Sequence, residues 1–167
     1  MSASTRGWKR VAKLQKEMRR RKLDAFFVTR ASNLHYLFNF RPSSGFGIVW
    51  TDHAVFVTDF RYETAANAAV KGAQVIIHRG TMMDELKKNR RLGLTGKVAV
   101  EADQMTVDFY QSLESYNPGA EFVSLTNVVE ELAACKEPEE LDKIQSAIHI
   151  TERVLHELLG MLKPGIT

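Results

Sequence analysis

Phe46-Gly47-Ile48-Val49-Trp50-Thr51-Asp52-His53-Ala54-Val55-Phe56-Val57-Thr58-Asp59-Phe60-Arg61-Tyr62 decides the fold of this chain. Two apolar, β-branched or aromatic runs flank the polar turn Thr51-Asp52-His53, the pattern of a β-hairpin. Asp59 follows the second run where the chain must leave the strand, which is the N-cap position of a helix. In that reading Phe60 enters the core, and Arg61, in the first turn, reaches a nearby carboxylate or carbonyl. The alanine-rich stretch 61–70 is the helix, and it stops near Gly72.

Upstream of the hairpin the spacing predicts a helix over 5–22, a buried-type strand over 23–28, and a short helix over 32–37 capped by Ser32. A loop, Asn39 to Gly45, leads into the hairpin. Downstream, strands are expected at 74–77, 97–101 and 121–124. Helices are expected at 82–92, 106–115 and, capped by Thr126, up to Ala134. Strands alternating with helices around one hairpin predict an α/β fold: a mixed β-sheet flanked by helices, followed by a long C-terminal helix. Lys136-Glu137-Pro138-Glu139-Glu140 marks a boundary, with Pro138 in the first turn of a helix over 138–162. The expected organisation is therefore one domain over 1–135, then a linker and helix over 136–167.

That last helix carries two apolar stripes. Leu141, Ile144, Ile148, Leu155, Leu158 and Leu162 form one, and Ala147, Ile150, Val154 and Met161 lie beside it. Together they exceed the ~100° stripe of a one-sided helix, so packing on two sides is expected. The expectation is a truncated protein, with residues 136–167 opening a second domain that has been cut away.

Composition narrows the function classes. The chain is 44% hydrophobic, enough to bury a core, and its apolar runs are too short to span a membrane. Cys135 is the sole cysteine, which excludes an internal disulfide and points to a reducing, cytoplasmic setting, with Cys135 as a small packing residue. Residues 1–22 hold nine Lys or Arg against Glu17, a net charge of +8 within the total of +3. Trp8, Val11, Leu14 and Met18 share one helix face while Lys9, Lys13, Lys16 and Arg20 point elsewhere, the pattern of an amphipathic helix with a solvated basic side. A nucleic-acid-binding arm, a membrane-surface helix and a transit peptide are the alternatives, although only Trp8 supplies the aromatic group among the basic residues that a single-strand binder would want.

The search for chemistry returns little. His149, Glu152 and His156 lie three and four residues apart on one helix face, the spacing of a possible cation site, but they share a polar strip with Asp142, Gln145, Ser146 and Arg153. No metal ligands and no catalytic residues are assigned to this segment. Ser43-Ser44-Gly45 lacks a strand-turn-helix elbow, and the glycines form no phosphate-binding pattern. His35, Tyr36, Arg41 and Tyr62 are polar-tipped residues near loop ends, where a sheet edge meets a ligand or another subunit.

Three segments in order carry a resemblance: Ser32-Asn33-Leu34-His35-Tyr36-Leu37-Phe38-Asn39-Phe40, Val57-Thr58-Asp59-Phe60-Arg61-Tyr62, and Lys136-Glu137-Pro138-Glu139-Glu140-Leu141 leading to Leu162-Lys163-Pro164-Gly165-Ile166-Thr167. The chain resembles the N-terminal region of the creatinase, prolidase and aminopeptidase P group, particularly bacterial Xaa-Pro peptidases. The resemblance implies a mixed-sheet α/β domain with ribonuclease H-like layering, followed by a pita-bread catalytic domain. It implies two divalent metal ions (manganese, cobalt or zinc) held by two Asp, one His and two Glu, none of which maps onto this chain. It also implies a homodimer, small proline-containing peptides as substrates of the parent, and no membrane or nucleic-acid partner. His35, Tyr36, Phe38, Arg41, Arg61 and Tyr62 are the candidates for substrate wall or subunit contact, and Asp59 is a structural cap. Where the group commonly has Thr-Gly, this chain has Phe38-Asn39. Asn tolerates the left-handed turn that Gly would supply, and Phe38 is expected to alter a cavity wall. A stand-alone dimerisation or binding module of the same fold is the competing reading.

Overall fold

A computed structural model describes residues 3–163 and 165, with side-chain surroundings from residue 7 onward. Of the Lys163 to Thr167 ending read above, Pro164, Ile166 and Thr167 lie outside the described residues. The chain divides into two compact units, Met1–Leu132 and Ala133–Thr167.

The first unit is built on six strands: β1 (Ala25–Val28), β2 (Gly45–Trp50), β3 (Ala54–Asp59), β4 (Gln74–His78), β5 (Gly96–Glu101) and β6 (Ala120–Leu125). Their order across the sheet is β4-β3-β2-β1-β5-β6. The hairpin pairs β2 and β3 antiparallel, with Gly45 opposite Thr58 and Val49 opposite Ala54, and β1 pairs β2 antiparallel. The β3–β4, β1–β5 and β5–β6 pairs are parallel. The sheet is mixed, as the hairpin among alternating elements requires. β1, β3 and most of β2 are fully buried, which is why they read as continuous apolar runs rather than alternating ones.

Six helices accompany the sheet: α1 (Ala3–Arg21), α2 (Ala31–Phe38), α3 (Glu63–Ala69), α4 (Met82–Lys88), α5 (Val107–Tyr116) and α6 (Val128–Ala134). On one face Phe27, Phe46, Ile48, Val55, Val57, Val98 and Val100 meet Leu86 of α4 and Leu113 of α5. α1 turns Val11, Leu14 and Met18 inward, while Trp8, expected with them, is 63% exposed. Four of its arginines are held within the fold: Glu17 receives Arg20 and Arg21, Arg19 donates to the carbonyl of Thr51, and Arg10 is buried.

Several local expectations need correction. α2 begins one residue before Ser32, with Arg30 at the N-cap and no side-chain cap there. The helix expected at 61–70 is a 3-10 turn, Phe60–Tyr62, followed by α3, and the helix expected at 82–92 ends at Lys88 before a second 3-10 turn, Arg90–Leu92. α6 starts after Asn127, whose backbone is left-handed and whose carbonyl accepts the Glu131 N–H, so Thr126 stands outside the cap position. Phe60 is 56% exposed and does not enter the core.

The second unit holds α7 (Pro138–Met161). Pro138 occupies its first turn, and Glu137 with Glu140 forms a reciprocal capping box. No residue of α7 is buried, and Leu141, Ile148, Leu155 and Leu158 stand about half exposed. Cys135, expected to pack, is exposed. Among the described residues no helix is long and apolar enough to cross a membrane.

Candidate functional site

Strand direction gathers the polar side chains on one rim. β1, β3, β4, β5 and β6 all end there and the antiparallel β2 begins there, so the loops after β1, before β2, and after β3, β4 and β5 lie along a single edge. The carboxyl ends of strands are where open α/β sheets place their ligands, above all where successive connections leave in opposite directions. Here that point lies between β1, whose chain continues toward β2, and β5 on its other side.

Two polar knots occupy the rim. The first follows β3. Asp59 accepts the Arg61 backbone N–H at 3.0 Å, closing the 3-10 turn as its cap, and receives the Arg61 guanidinium from Nε at 2.9 Å and Nη2 at 2.8 Å. These hydrogen bonds hold the Asp59 carboxyl below the usual aspartate range. The same bonds raise Arg61 above the ordinary guanidinium value. Next to them, Tyr62 donates its hydroxyl to Ser43 Oγ at 2.9 Å and accepts the Ser43 N–H, which ties the loop before β2 to the end of β3. The Phe40 ring meets the edges of Tyr62 and Phe56.

The second knot centres on Glu101, buried at the end of β5. One carboxylate oxygen accepts the Thr29 N–H at 2.6 Å, the Thr29 hydroxyl at 3.1 Å and the Arg30 N–H at 2.7 Å. The other accepts Asn33 Nδ2 at 2.7 Å. Glu101 therefore anchors, from a neighbouring strand, the two residues that lead into α2, Thr29 and the N-cap residue Arg30. Around it the Arg30 guanidinium pairs with Asp103 and Glu130, and Asn33 also donates to Glu130.

The residues singled out from sequence separate into two groups. Asp59, Arg61 and Tyr62 come together on the rim, and Arg41 stands exposed in the adjoining loop, two residues before Ser43. His35, Tyr36 and Phe38 lie on α2. His35 is exposed, whereas Tyr36 is 8% exposed, lies under the Arg10 guanidinium, and donates its hydroxyl to the Leu132 carbonyl. Phe38, expected to shape a cavity wall, is completely buried against Phe56, with Gly47 leaving room for its ring. Asn39 has φ 61° at the end of α2, the left-handed conformation expected of it. Sequence reasoning passed over Ser43, Arg30, Asn33 and Glu101. A charged residue closing the apolar run Val98-Ala99-Val100 was the one available signal.

The described residues do not fit a two-metal centre. No group of three or more His, Cys, Asp or Glu side chains among them is placed to hold a metal ion, the α7 residues His149, Glu152 and His156 included.

Fold and rim together define a mixed-sheet α/β domain whose polar groups collect at the carboxyl ends of its strands. The chain belongs to the creatinase/prolidase N-terminal domain family, which matches residues 10–135. It is 30% identical over 145 residues to the uncharacterized peptidase YqhT of Bacillus subtilis, covering 87% of this chain and 41% of that protein. Among solved structures it is similar to an Xaa-Pro dipeptidase from Bacillus anthracis, with TM-score 0.88 and 25% identity over 96% of this chain and 45% of that one. It is also similar to the N-terminal domain of the cytoplasmic peptidase PepQ from Mycobacterium tuberculosis, with TM-score 0.65 and 30% identity over 74% of this chain and 98% of that one. The chain thus spans less than half the length of the curated relative it matches.

Proposed function

We propose that this chain serves as the non-catalytic N-terminal domain of a cytoplasmic Xaa-Pro peptidase, a hydrolase of the peptide bond before proline. One observation carries the reading: the likeness to the Bacillus anthracis Xaa-Pro dipeptidase extends over 96% of this chain and stops at 45% of that enzyme. In this reading the hydrolytic centre and its two divalent ions belong to a C-terminal catalytic domain, since the residues described here offer no cluster to hold them. The rim contributes Arg41, Arg61 and Tyr62 as wall or subunit contact in a homodimer. Asp59 fixes the guanidinium of Arg61, and Ser43 fixes the ring of Tyr62, so these groups are held in place before anything meets them.

The test compares the 167-residue chain with a longer protein that includes a catalytic domain, each assayed on an Xaa-Pro dipeptide with added manganese. The longer protein is expected to hydrolyse it and the chain alone to be inert. Turnover by the chain alone, or an inactive longer protein, overturns the reading.

A further inference from the structure

A cleft of about 280 Å³ opens on the rim at the β1/β5 switch point, and neither polar knot fills it. Its floor is aromatic. Phe46 is buried with one face stacked on Phe27 at 4.9 Å between ring centroids, and Phe109 from α5 tilts against Phe27 at 6.0 Å. Met82 of α4 and Met105 form partly buried sides. Thioether side chains are unbranched and polarizable, and they adapt readily around a ring.

The polar part of the lining consists of Thr29, Ser43, Ser44, Gln104 and Thr106, so the cleft carries no ionisable side chain. Ser43 accepts from Tyr62, which leaves its own hydroxyl hydrogen to donate. Gln104 uses its amide nitrogen on the Asp103 carbonyl, which leaves the amide oxygen to accept. An apolar floor with a few neutral donors and acceptors at the mouth suits an uncharged ligand with an apolar body and a hydrogen-bonding tip. Phosphate or carboxylate groups would find no counter-charge inside.

We propose that this cleft binds an aromatic ring bearing an uncharged hydrogen-bonding substituent, such as a phenol or indole, with the ring packed on Phe109 between Met82 and Met105. The ring belongs either to a free small molecule or to a peptide side chain. Offset or edge-to-face contact with Phe109, the partly exposed ring of the lining, supplies the preference for a ring over an aliphatic group of equal size. The assignment stands independently of the peptidase reading, because it concerns a cleft formed wholly within the first unit.

The experiment uses the 167-residue chain with 13C-methyl methionine, titrated with p-cresol, N-acetyltyrosine amide or cyclohexanol and followed by NMR. Saturable shifts are expected at the Met82 and Met105 methyls with both aromatic probes, at least threefold weaker with cyclohexanol, and without change at Met18 or Met161. Tighter binding of the tyrosine amide would assign the ring to a peptide, and tighter binding of p-cresol to a free molecule. Met105→Trp, which places a ring in the mouth, should weaken binding at least tenfold while leaving the Met18 signal in place. Absence of saturable shifts in the unsubstituted chain, equal response to cyclohexanol, or equal shifts at Met18 and Met161 would overturn the proposal.

Discussion

Arg61 grips the carboxylate of Asp59 with both Nε and Nη2, at 2.9 and 2.8 Å, while its backbone N–H bonds to the same carboxylate at 3.0 Å. Asp59 is thus cap and counter-ion at once, and it is the enclosed member of the pair, with side-chain exposure of 10% against 60% for Arg61. Asp59→Ala should destabilise the domain by about 1 kcal/mol, the usual scale of a lost cap. Asp59→Asn keeps a capping oxygen and should cost less. Because the folded state holds this carboxyl below its ordinary value, its contribution is fully present above the unfolded aspartate range. It fades as pH falls through the lowered value. Urea denaturation of both proteins should therefore give a difference that is constant from pH 7 to about 5 and shrinks below about 4. A difference unchanged at pH 3 would contradict the assignment.

Gly47 and Phe38 form a second pair whose fit is testable. A Cβ on Gly47 would run into the Phe38 ring, and Phe38 is packed against Phe56. Gly47→Ala should cost about 2 kcal/mol through overpacking. Phe38→Leu on the same background should recover part of that loss, giving a non-additive double-mutant cycle. Additive losses would mean that the ring and the added methyl do not compete.

How far the sequence revealed these arrangements depends on the range of the forces involved. The β2–β3 hairpin, Asp59 as a cap, Pro138 opening α7 and the left-handed Asn39 were legible because each rests on neighbours within a few residues. Ser32 is not the cap because α2 already begins at Ala31, and the residues leading into it, Thr29 and Arg30, are held by Glu101, about 70 residues away in sequence, a reach that no local pattern encodes. Phe60 was placed in the core by its hydrophobicity. The 3-10 turn that Asp59 closes instead rotates it outward. Within the basic run of residues 1–22, Arg10 is buried, donating to the Tyr36 carbonyl and covering that ring, a long-range contact that no local pattern encodes. On the rim, Arg61 and Tyr62 were visible as motif residues, but Ser43 became part of the site only through the fold.

Glu101 offers the largest expected effect. Its carboxylate satisfies two backbone N–H groups, a hydroxyl and an amide within a buried environment. Glu101→Ala strands those donors together and should cost about 3 kcal/mol or more. Glu101→Gln replaces one acceptor oxygen with a donor facing other donors, so it should also destabilise, by about 2 kcal/mol. Amide hydrogen exchange gives the local readout: Thr29 and Arg30 should lose protection in both variants before the strand interiors do. Unchanged protection at those two amides would remove Glu101 from its role as the distant anchor of the residues that lead into α2.

The exposed face of α7 predicts that the chain self-associates. Ile144, Ile148, Leu155 and Leu158 recur at helical spacing and are each about half exposed, so they present a continuous apolar stripe. Such a stripe favours contact with a second copy at high concentration. Sedimentation equilibrium should give a weight-average mass that rises above the 18.9 kDa of the monomer as concentration increases. Ile148→Glu combined with Leu155→Glu places charge in the middle of the stripe without introducing helix-breaking residues, and should return the mass to that of the monomer. Far-UV circular dichroism should meanwhile retain the helical signal, which separates loss of association from loss of the helix. A clean monomer for the unsubstituted chain at millimolar concentration would show that the stripe does not drive association by itself.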